Sequence, residues 1–288
     1  MKKVIVISGP TGIGKTSLAI RLAKEFDLTI INADASQMRK HMDIGTANIK
    51  DDEVKGLNYH LFKFLEPTSD FSIKDYQDIV RPIIDKTNLP LLVGGSGLYI
   101  DSALLDYDLS SDARDKSLET NESDEDLYER LKTVDPVLAS KTHPHNRKRV
   151  LRYLEIAGKD AKKPVELYDC LYITLDMNRD LLYENINNRF DQMLQDGWVD
   201  EVKWLKSNNY DISKIKEIGY LEISEVIDGL ISIDEASDKV KQATRNYAKR
   251  QLTWFRGSEN RYANYHKFSP NEYDSIKELV KMFIQDIN

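Results

Sequence analysis

Cysteine is almost missing from this chain of 288 residues, with Cys170 the only one. No disulfide can close within the chain, and no cysteine cage can hold zinc. Cys170 stands in the apolar run Cys170-Leu171-Tyr172-Ile173, where a thiol reads as a small buried hydrophobe rather than a nucleophile. Long apolar runs are missing too. Val4-Ile5-Val6-Ile7 and Leu89-Pro90-Leu91-Leu92-Val93 are the longest, far below the ~20 residues of a spanning helix. Lys2-Lys3 is the kind of start a secretion signal has, but Gly9 and Pro10 interrupt the apolar run that follows. A cytoplasmic protein with no membrane partner is expected. Internal repeats, low-complexity tracts and a domain-separating linker are likewise absent.

What is present suits a protein with a substantial core: 41% hydrophobic and 31% charged residues. The net charge of −7 excludes wholesale coating of nucleic acid, yet the charges are segregated. Between Ser110 and Glu129 stand eight acidic and two basic residues; Lys141 to Arg152 holds five basic and no acidic ones, and Lys239 to Arg256 six and none. Local patches of this kind steer an anionic partner whatever the net charge. Each basic run taken alone reads equally well as a solvated helix face.

Lys3 to Ile7 reads as a strand entering a glycine-rich turn, and Thr16 to Phe26 as the helix after it. Further strands are expected at Thr29 to Asn32, Leu89 to Val93, Leu171 to Leu175 and, more weakly, Arg261 to His266. Ser72 to Thr87 reads as a helix, with Ser72 as N-cap and Asp75 at the capping-box position. Apolar residues at helical spacing mark Asp124 to Leu131, Asn146 to Ala157, Leu181 to Leu194, Val199 to Ser207 and Ile233 to Phe255. The fold class expected is α/β: a P-loop core with a mostly parallel five-stranded sheet and helical insertions. The core would take residues 1–110, 140–178 and 258–288, and the helical regions 111–139 and 179–257.

The strongest motif is Gly9-Pro10-Thr11-Gly12-Ile13-Gly14-Lys15-Thr16, a full G-x-x-x-x-G-K-[ST] between strand and helix. Its backbone N–H groups cradle phosphates, Lys15 supplies a charge, and the Thr16 hydroxyl can bind Mg²⁺. A di- or triphosphate group is therefore expected, ATP being the ordinary occupant of such a nucleotide-binding loop. The rest of the ATPase equipment is missing. The strand at Leu89 to Val93 ends in Gly94-Gly95-Ser96-Gly97 where a Walker-B strand would offer an acid. The strand before it ends in Asn32-Ala33-Asp34. Ligands gather beyond the carboxyl ends of parallel strands, so Asp34 and Ser96 should face the Lys15 pocket. A carboxylate there can be a metal ligand, a structural cap or a general base. His143 and His145 lack a third ligand nearby, and a helix-start or packing role is preferred for them over a metal site.

These motifs, with Met42-Asp43-Ile44-Gly45-Thr46-Ala47, Tyr59-His60-Leu61, Gly94 to Tyr99, Asp135-Pro136, His143-Pro144, Arg149 to Glu155, Ile218-Gly219-Tyr220 and Ala248 to Arg256, together resemble the bacterial tRNA dimethylallyltransferase family, in order, from Val4 to about Arg256. The resemblance implies transfer of a dimethylallyl group from its diphosphate to the N6 amine of the adenosine beside the anticodon. The partners implied are dimethylallyl diphosphate and the anticodon stem-loop of tRNA, with Mg²⁺ as cofactor, and a monomer is expected. It also implies roles by position. Asp34 would be the general base, the loop from Thr11 to Thr16 would hold the diphosphate, and Thr16 would share the metal. Ser96 would touch the diphosphate near the breaking bond, with Arg114 and Arg245 as further catalytic arginines. Asp34, Ala35, Ser36 and Gln37 would meet the extruded adenine. Lys249, Arg250, Gln251, Thr253, Trp254, Phe255 and Arg256 would contact tRNA.

The chain departs from the family pattern at Ala35, where serine is usual, at Met38-Arg39, where Val-Tyr is usual, and at Ser96, where threonine is usual. These changes bear on substrate contacts more than on the type of reaction. Two other classes share part of the pattern. A small-molecule kinase would need the missing Walker-B acid. A nucleotide-gated RNA-binding protein would have no use for Asp34 and Ser96 at the phosphate site.

Overall fold

The computed structural model describes residues 1–107, 109, 121–157 and 164–285. The β-branched run Lys3–Ser8 forms β1, and Lys15–Phe26 forms α1 directly after the phosphate loop. β2 is Thr29–Asn32, β3 Tyr59–His60, α2 Ile73–Lys86, β4 Pro90–Gly94 and α3 Gly97–Leu104. The capping box expected at Ser72 is formed: its hydroxyl accepts from the Asp75 N–H, and the Asp75 carboxylate accepts from the Ser72 N–H. After the segment 107–164 come β5 (Asp169–Leu175), with Cys170 buried, then α7 (Arg179–Gln195), α8 (Trp198–Ser207), α9 (Tyr220–Ile227) and α10 (Ile233–Arg256). β6 (Tyr265–Phe268) and α11 (Tyr273–Gln285) follow α10. Among the described residues no helix is long and apolar enough to cross a membrane.

The sheet has six strands, not five, in the order β3-β2-β4-β1-β5-β6, and each pairing is parallel. The strand missing from the sequence expectation is β3. Its two residues are exposed and pair with Ile30 and Ile31 of β2, and two residues carry no readable periodicity. The last strand lies at 265–268 rather than 261–266, because Ser258–Asn260 coil into a 3₁₀ turn and displace its start. α3, α9 and α11 were not anticipated either; the first two have eight residues each, too few for a clear 3.6-residue period.

The contacts divide the chain into two units, 1–106 with 165–288, and 107–164. The division differs from the grouping expected from sequence. α7 and α10 belong with the sheet: Leu182, Ile186 and Ala248 share one core with Ile5, Ile7, Leu91 and Leu171. A second core within the larger unit joins Phe190, Trp198, Val202, Ile223 and Val240 with Met42. In the smaller unit, α4 (Asp124–Val134), α5 (Pro136–Ala139) and α6 (Arg147–Ile156) pack around Leu127, Leu131, Ala139 and Val150. The His145 N–H donates to His143 Nδ1 at 3.3 Å in the turn that opens α6. Among the described residues no three His, Cys, Asp or Glu gather as a metal-binding group.

Two strand ends meet closely beside the future site. A Cβ on Gly94 would lie 2.0 Å from the Ala33 carbonyl oxygen and 2.2 Å from its carbon, so β2 and β4 cannot keep their spacing with a side chain there. Gly94→Ala should therefore cost about 1–3 kcal/mol as an overpacked core site, read as a fall in Tm. An unchanged Tm would mean that this strand junction is soft.

Candidate phosphate and acceptor site

The loop from Gly9 to Thr16 turns through the left-handed region at Gly12 (φ 81°) and Gly14 (φ 95°), conformations a side chain would strain. Gly14 caps α1 without a side-chain bond, which leaves the first N–H groups of that helix for an anion. The loop opens into a cavity of about 1040 Å³ within the larger unit. Its walls hold Thr11, Gly12, Gly14, Lys15 and Thr16 on one side and Asp34 to Gln37 on another, with Arg250 also lining it. The volume lies at or above the usual ~300–1,000 Å³ of small-ligand pockets, so there is room for a second group beside a diphosphate.

Lys15, Asp34 and Arg189 act on one another across the cavity. The Lys15 ammonium donates to the Pro10 carbonyl at 2.9 Å. Burial pulls its pKa down to about 8; the Asp34 carboxylate opposes this and Arg189 adds to it. Arg189, on α7, lines the same cavity, and its pKa is also lowered by burial and raised by Asp34. Among the charged groups lining the cavity, Asp34 thus faces two buried cations, Lys15 and Arg189, held at a desolvation cost that an anionic ligand would offset. Sequence reasoning missed Arg189. The signal was a charge at the core-facing spacing of α7, seven residues after Leu182 and three after Ile186, both buried.

Asp34 is held by its backbone. Its N–H donates to Asn32 Oδ1 at 2.9 Å and its carbonyl accepts from Asn32 Nδ2 at 3.0 Å, while its own Oδ1 accepts only a longer bond, 3.2 Å, from the Ser36 N–H. Ser96 supports this segment from beneath. Its N–H donates to the Ala33 carbonyl and its hydroxyl accepts from the Ala35 N–H, both at 3.2 Å. Tyr247 of α10 lies beside the Ser96 side chain, and burial raises its pKa, with the Asp34 charge adding to the shift. Ser96 therefore braces the acidic segment.

Other expected residues are placed less directly. Gly9 and Pro10 start the loop, Ile13 is buried in the core, and Ala35 and Ser36 line the cavity. Gln37 lines it too, but its amide donates to the Ala47 carbonyl and its own carbonyl accepts from Asn48. Arg245 turns to Asn187 and Gln242, at 2.8 Å each. Arg114 lies outside the described residues. Lys249, Arg250, Thr253 and Arg256 are exposed along α10. Phe255, expected to contact tRNA, is 1% exposed, with its ring in the core. Trp254 is 37% exposed, and its indole N–H donates to Asp101 while its ring fills the space a Cβ on Gly97 would need. Gln251, expected on the RNA side, points inward and is 5% exposed.

A further loop borders the cavity, from Asp43 to Lys50. Glu201 of α8 holds it by accepting from the Ile44 and Gly45 N–H groups at 2.7 and 3.1 Å and from the Tyr220 hydroxyl at 2.7 Å. Burial raises the Glu201 pKa against those hydrogen bonds.

A family model described as IPP transferase matches residues 37–258, and one described as isopentenyl transferase matches residues 2–63. The chain is 37% identical over 313 residues to a tRNA dimethylallyltransferase of Alkaliphilus oremlandii, covering 99% of this chain and 97% of that one. To the tRNA dimethylallyltransferase of Bacillus subtilis it is 42% identical over 274 residues, 88% of this chain and 87% of that one. Among solved structures, the tRNA isopentenylpyrophosphate transferase of Bacillus halodurans superposes with a TM-score of 0.75 at 34% identity, covering 99% and 98% of the two chains. A eukaryotic dimethylallyltransferase acting on tRNA superposes with a TM-score of 0.83 at 25% identity, covering 99% and 80%.

Proposed function

The chain belongs to the IPP transferase family, and from that premise we propose how the cavity of its larger unit works as a tRNA dimethylallyltransferase. The observation that carries the reading is that Asp34 shares the phosphate pocket with Lys15 and Arg189, close enough to act on the pKa of both. A carboxylate beside a phosphate site is repelled by the ligand; it repays that repulsion when it takes a proton.

Dimethylallyl diphosphate lies with its diphosphate against the loop from Thr11 to Thr16. The N6 amine of the adenosine beside the anticodon attacks C1 of the prenyl chain, and the C1–O bond breaks with its electron pair leaving on diphosphate. The N6 proton passes to Asp34. Charge grows on the leaving oxygens, so the fixed N–H groups of the α1 terminus, Lys15 and Arg189 stabilise the transition state more than the ground state. The adenine must leave the anticodon-loop stack to reach Asp34, and the cavity beside Ala35 and Ser36 has the room. The Thr16 hydroxyl lines that cavity and is a hard oxygen donor of the kind that would hold Mg²⁺ there. When bound, the ion offsets charge on the leaving diphosphate.

The anticodon stem-loop docks along the exposed cations of α10, and the protein acts as a monomer. The deciding experiment measures diphosphate released from dimethylallyl diphosphate, with and without tRNA. Release that requires tRNA supports the reading; release without it, or none with it, overturns it. The RNA path has its own test. tRNA affinity should fall steeply with salt, and Lys249→Ala with Arg250→Ala should reduce the slope of log affinity against log salt by about 2, roughly one per lost phosphate contact. An unchanged slope would place the RNA elsewhere.

A further inference from the structure

α10 turns two different faces to its surroundings. Lys249, Arg250 and Thr253 are exposed, while Thr244, Tyr247, Ala248 and Gln251 follow the i, i+3, i+4, i+7 spacing of one inward stripe. The last of these, Gln251, spends both ends of its amide on backbone from two other elements. Its Oε1 accepts from the Thr11 N–H at 2.9 Å, and its Nε2 donates to the Gly95 carbonyl at 2.9 Å. Thr11 belongs to the phosphate loop. Gly95 precedes Ser96, whose backbone and hydroxyl bond to Ala33 and Ala35 on either side of Asp34. Gly95 also has no side chain to spare: a Cβ there would lie 2.4 Å from Gln251 Nε2 and 3.1 Å from Asp34 Oδ2. The amide and the carboxylate therefore crowd around a single glycine.

We propose that Gln251 is a positioning residue for prenyl transfer: its amide fixes the separation between the phosphate loop and the Asp34 segment, and it makes no contact with RNA. The inference rests on the functional reading above. Gln251 touches no reacting atom. It acts through Thr11 on one side and through Gly95 and Ser96 on the other. Attack at C1 requires the amine, the carbon and the leaving oxygen to stand in register, and a misplacement of about 1 Å can cost about 10²-fold in rate. The buried amide also explains the residue type. An apolar side chain of equal length would leave the Thr11 N–H and the Gly95 carbonyl without partners, and a shorter amide would not span them.

Two substitutions test this by single-turnover transfer at saturating dimethylallyl diphosphate and tRNA, alongside tRNA binding and thermal melts. Gln251→Met keeps length and bulk but no hydrogen bonds; the rate should fall about 10- to 100-fold with tRNA affinity within about twofold. Gln251→Glu keeps the shape. As a carboxylate it opposes the Gly95 carbonyl, and as a neutral carboxyl it regains a donor and an acceptor. Its rate relative to the unaltered protein should therefore rise as the pH is lowered towards the range where a buried carboxyl takes up a proton. Weakened tRNA binding with a normal saturated rate would make Gln251 an RNA contact and overturn the proposal. So would a lower Tm with rate and affinity intact. If Gln251→Met does not fold, the pH dependence of Gln251→Glu decides, and a flat ratio overturns the proposal. Absence of transfer by the unaltered protein would instead overturn the functional reading, a result independent of either variant.

Discussion

Replacing Asp34 by asparagine should lower the single-turnover rate of prenyl transfer by about 10² to 10⁴-fold, the usual worth of a general base, with tRNA affinity little changed. The alternative role for this carboxylate is to cap its own turn, and the geometry separates the two. The Asp34 backbone is tied on both sides by the Asn32 side chain and by Ser96 acting on its neighbours. The one intrasegment bond its carboxylate makes, from the Ser36 N–H, is one that the Oδ1 of asparagine can also accept. The turn should thus survive the substitution, and the Tm should fall only by what the Asp34 charge contributes beside the buried Lys15 and Arg189. What asparagine cannot do is take the proton from N6. A lower Tm with an unaltered chemical step would end the base assignment.

Lys15→Met should weaken diphosphate binding and slow transfer by about 10² to 10³-fold, the loss expected when a donor aimed at developing charge is removed. The pH dependence sharpens the test. With a pKa lowered to about 8, Lys15 is charged below that pH and increasingly neutral above it, whereas bound diphosphate favours the charged form and raises the pKa in the complex. Affinity for diphosphate should be at its full value below about pH 8 and fall as the pH rises through it. In Lys15→Met that decline should vanish. The stability effect has the opposite sign. The unfolded chain holds this proton up to the ordinary lysine value of 10.5, so between about 8 and 10.5 the unfolded state binds more protons and stability rises with pH. Below 8 the cost of the buried charge is fully present. Lys15→Met should therefore raise the Tm of the ligand-free protein at neutral pH while crippling the enzyme. A Tm that falls, or diphosphate binding with an unaltered pH profile, would show that Lys15 serves the fold.

The sequence by itself determined the phosphate loop, the start of α2 and the residues at the carboxyl ends of β2 and β4. These features are local. A strand, a turn that needs glycine at positive φ, and a helix N-terminus fit within Lys3 to Phe26, and Ser72 and Asp75 bond to each other three residues apart. That Asp34 would face Lys15 also followed, since parallel strands gather their carboxyl ends at one edge of the sheet whatever lies between them in sequence. Only the tertiary structure decided the rest. Arg189 is more than a hundred residues from Lys15 in the chain, and its entry into the cavity depends on how α7 packs its Leu182 and Ile186 against the sheet. On α10, Gln251 and Phe255 turn inward beside the exposed Arg250 and Arg256. Neighbouring residues on a helix differ by about 100° in direction, so a basic stretch shows that one face meets solvent without showing which of its members leave that face. The packing of α10 on the larger unit, with the Trp254 indole bonded to Asp101, decides which of its side chains face solvent and which one bonds to both the phosphate loop and Gly95.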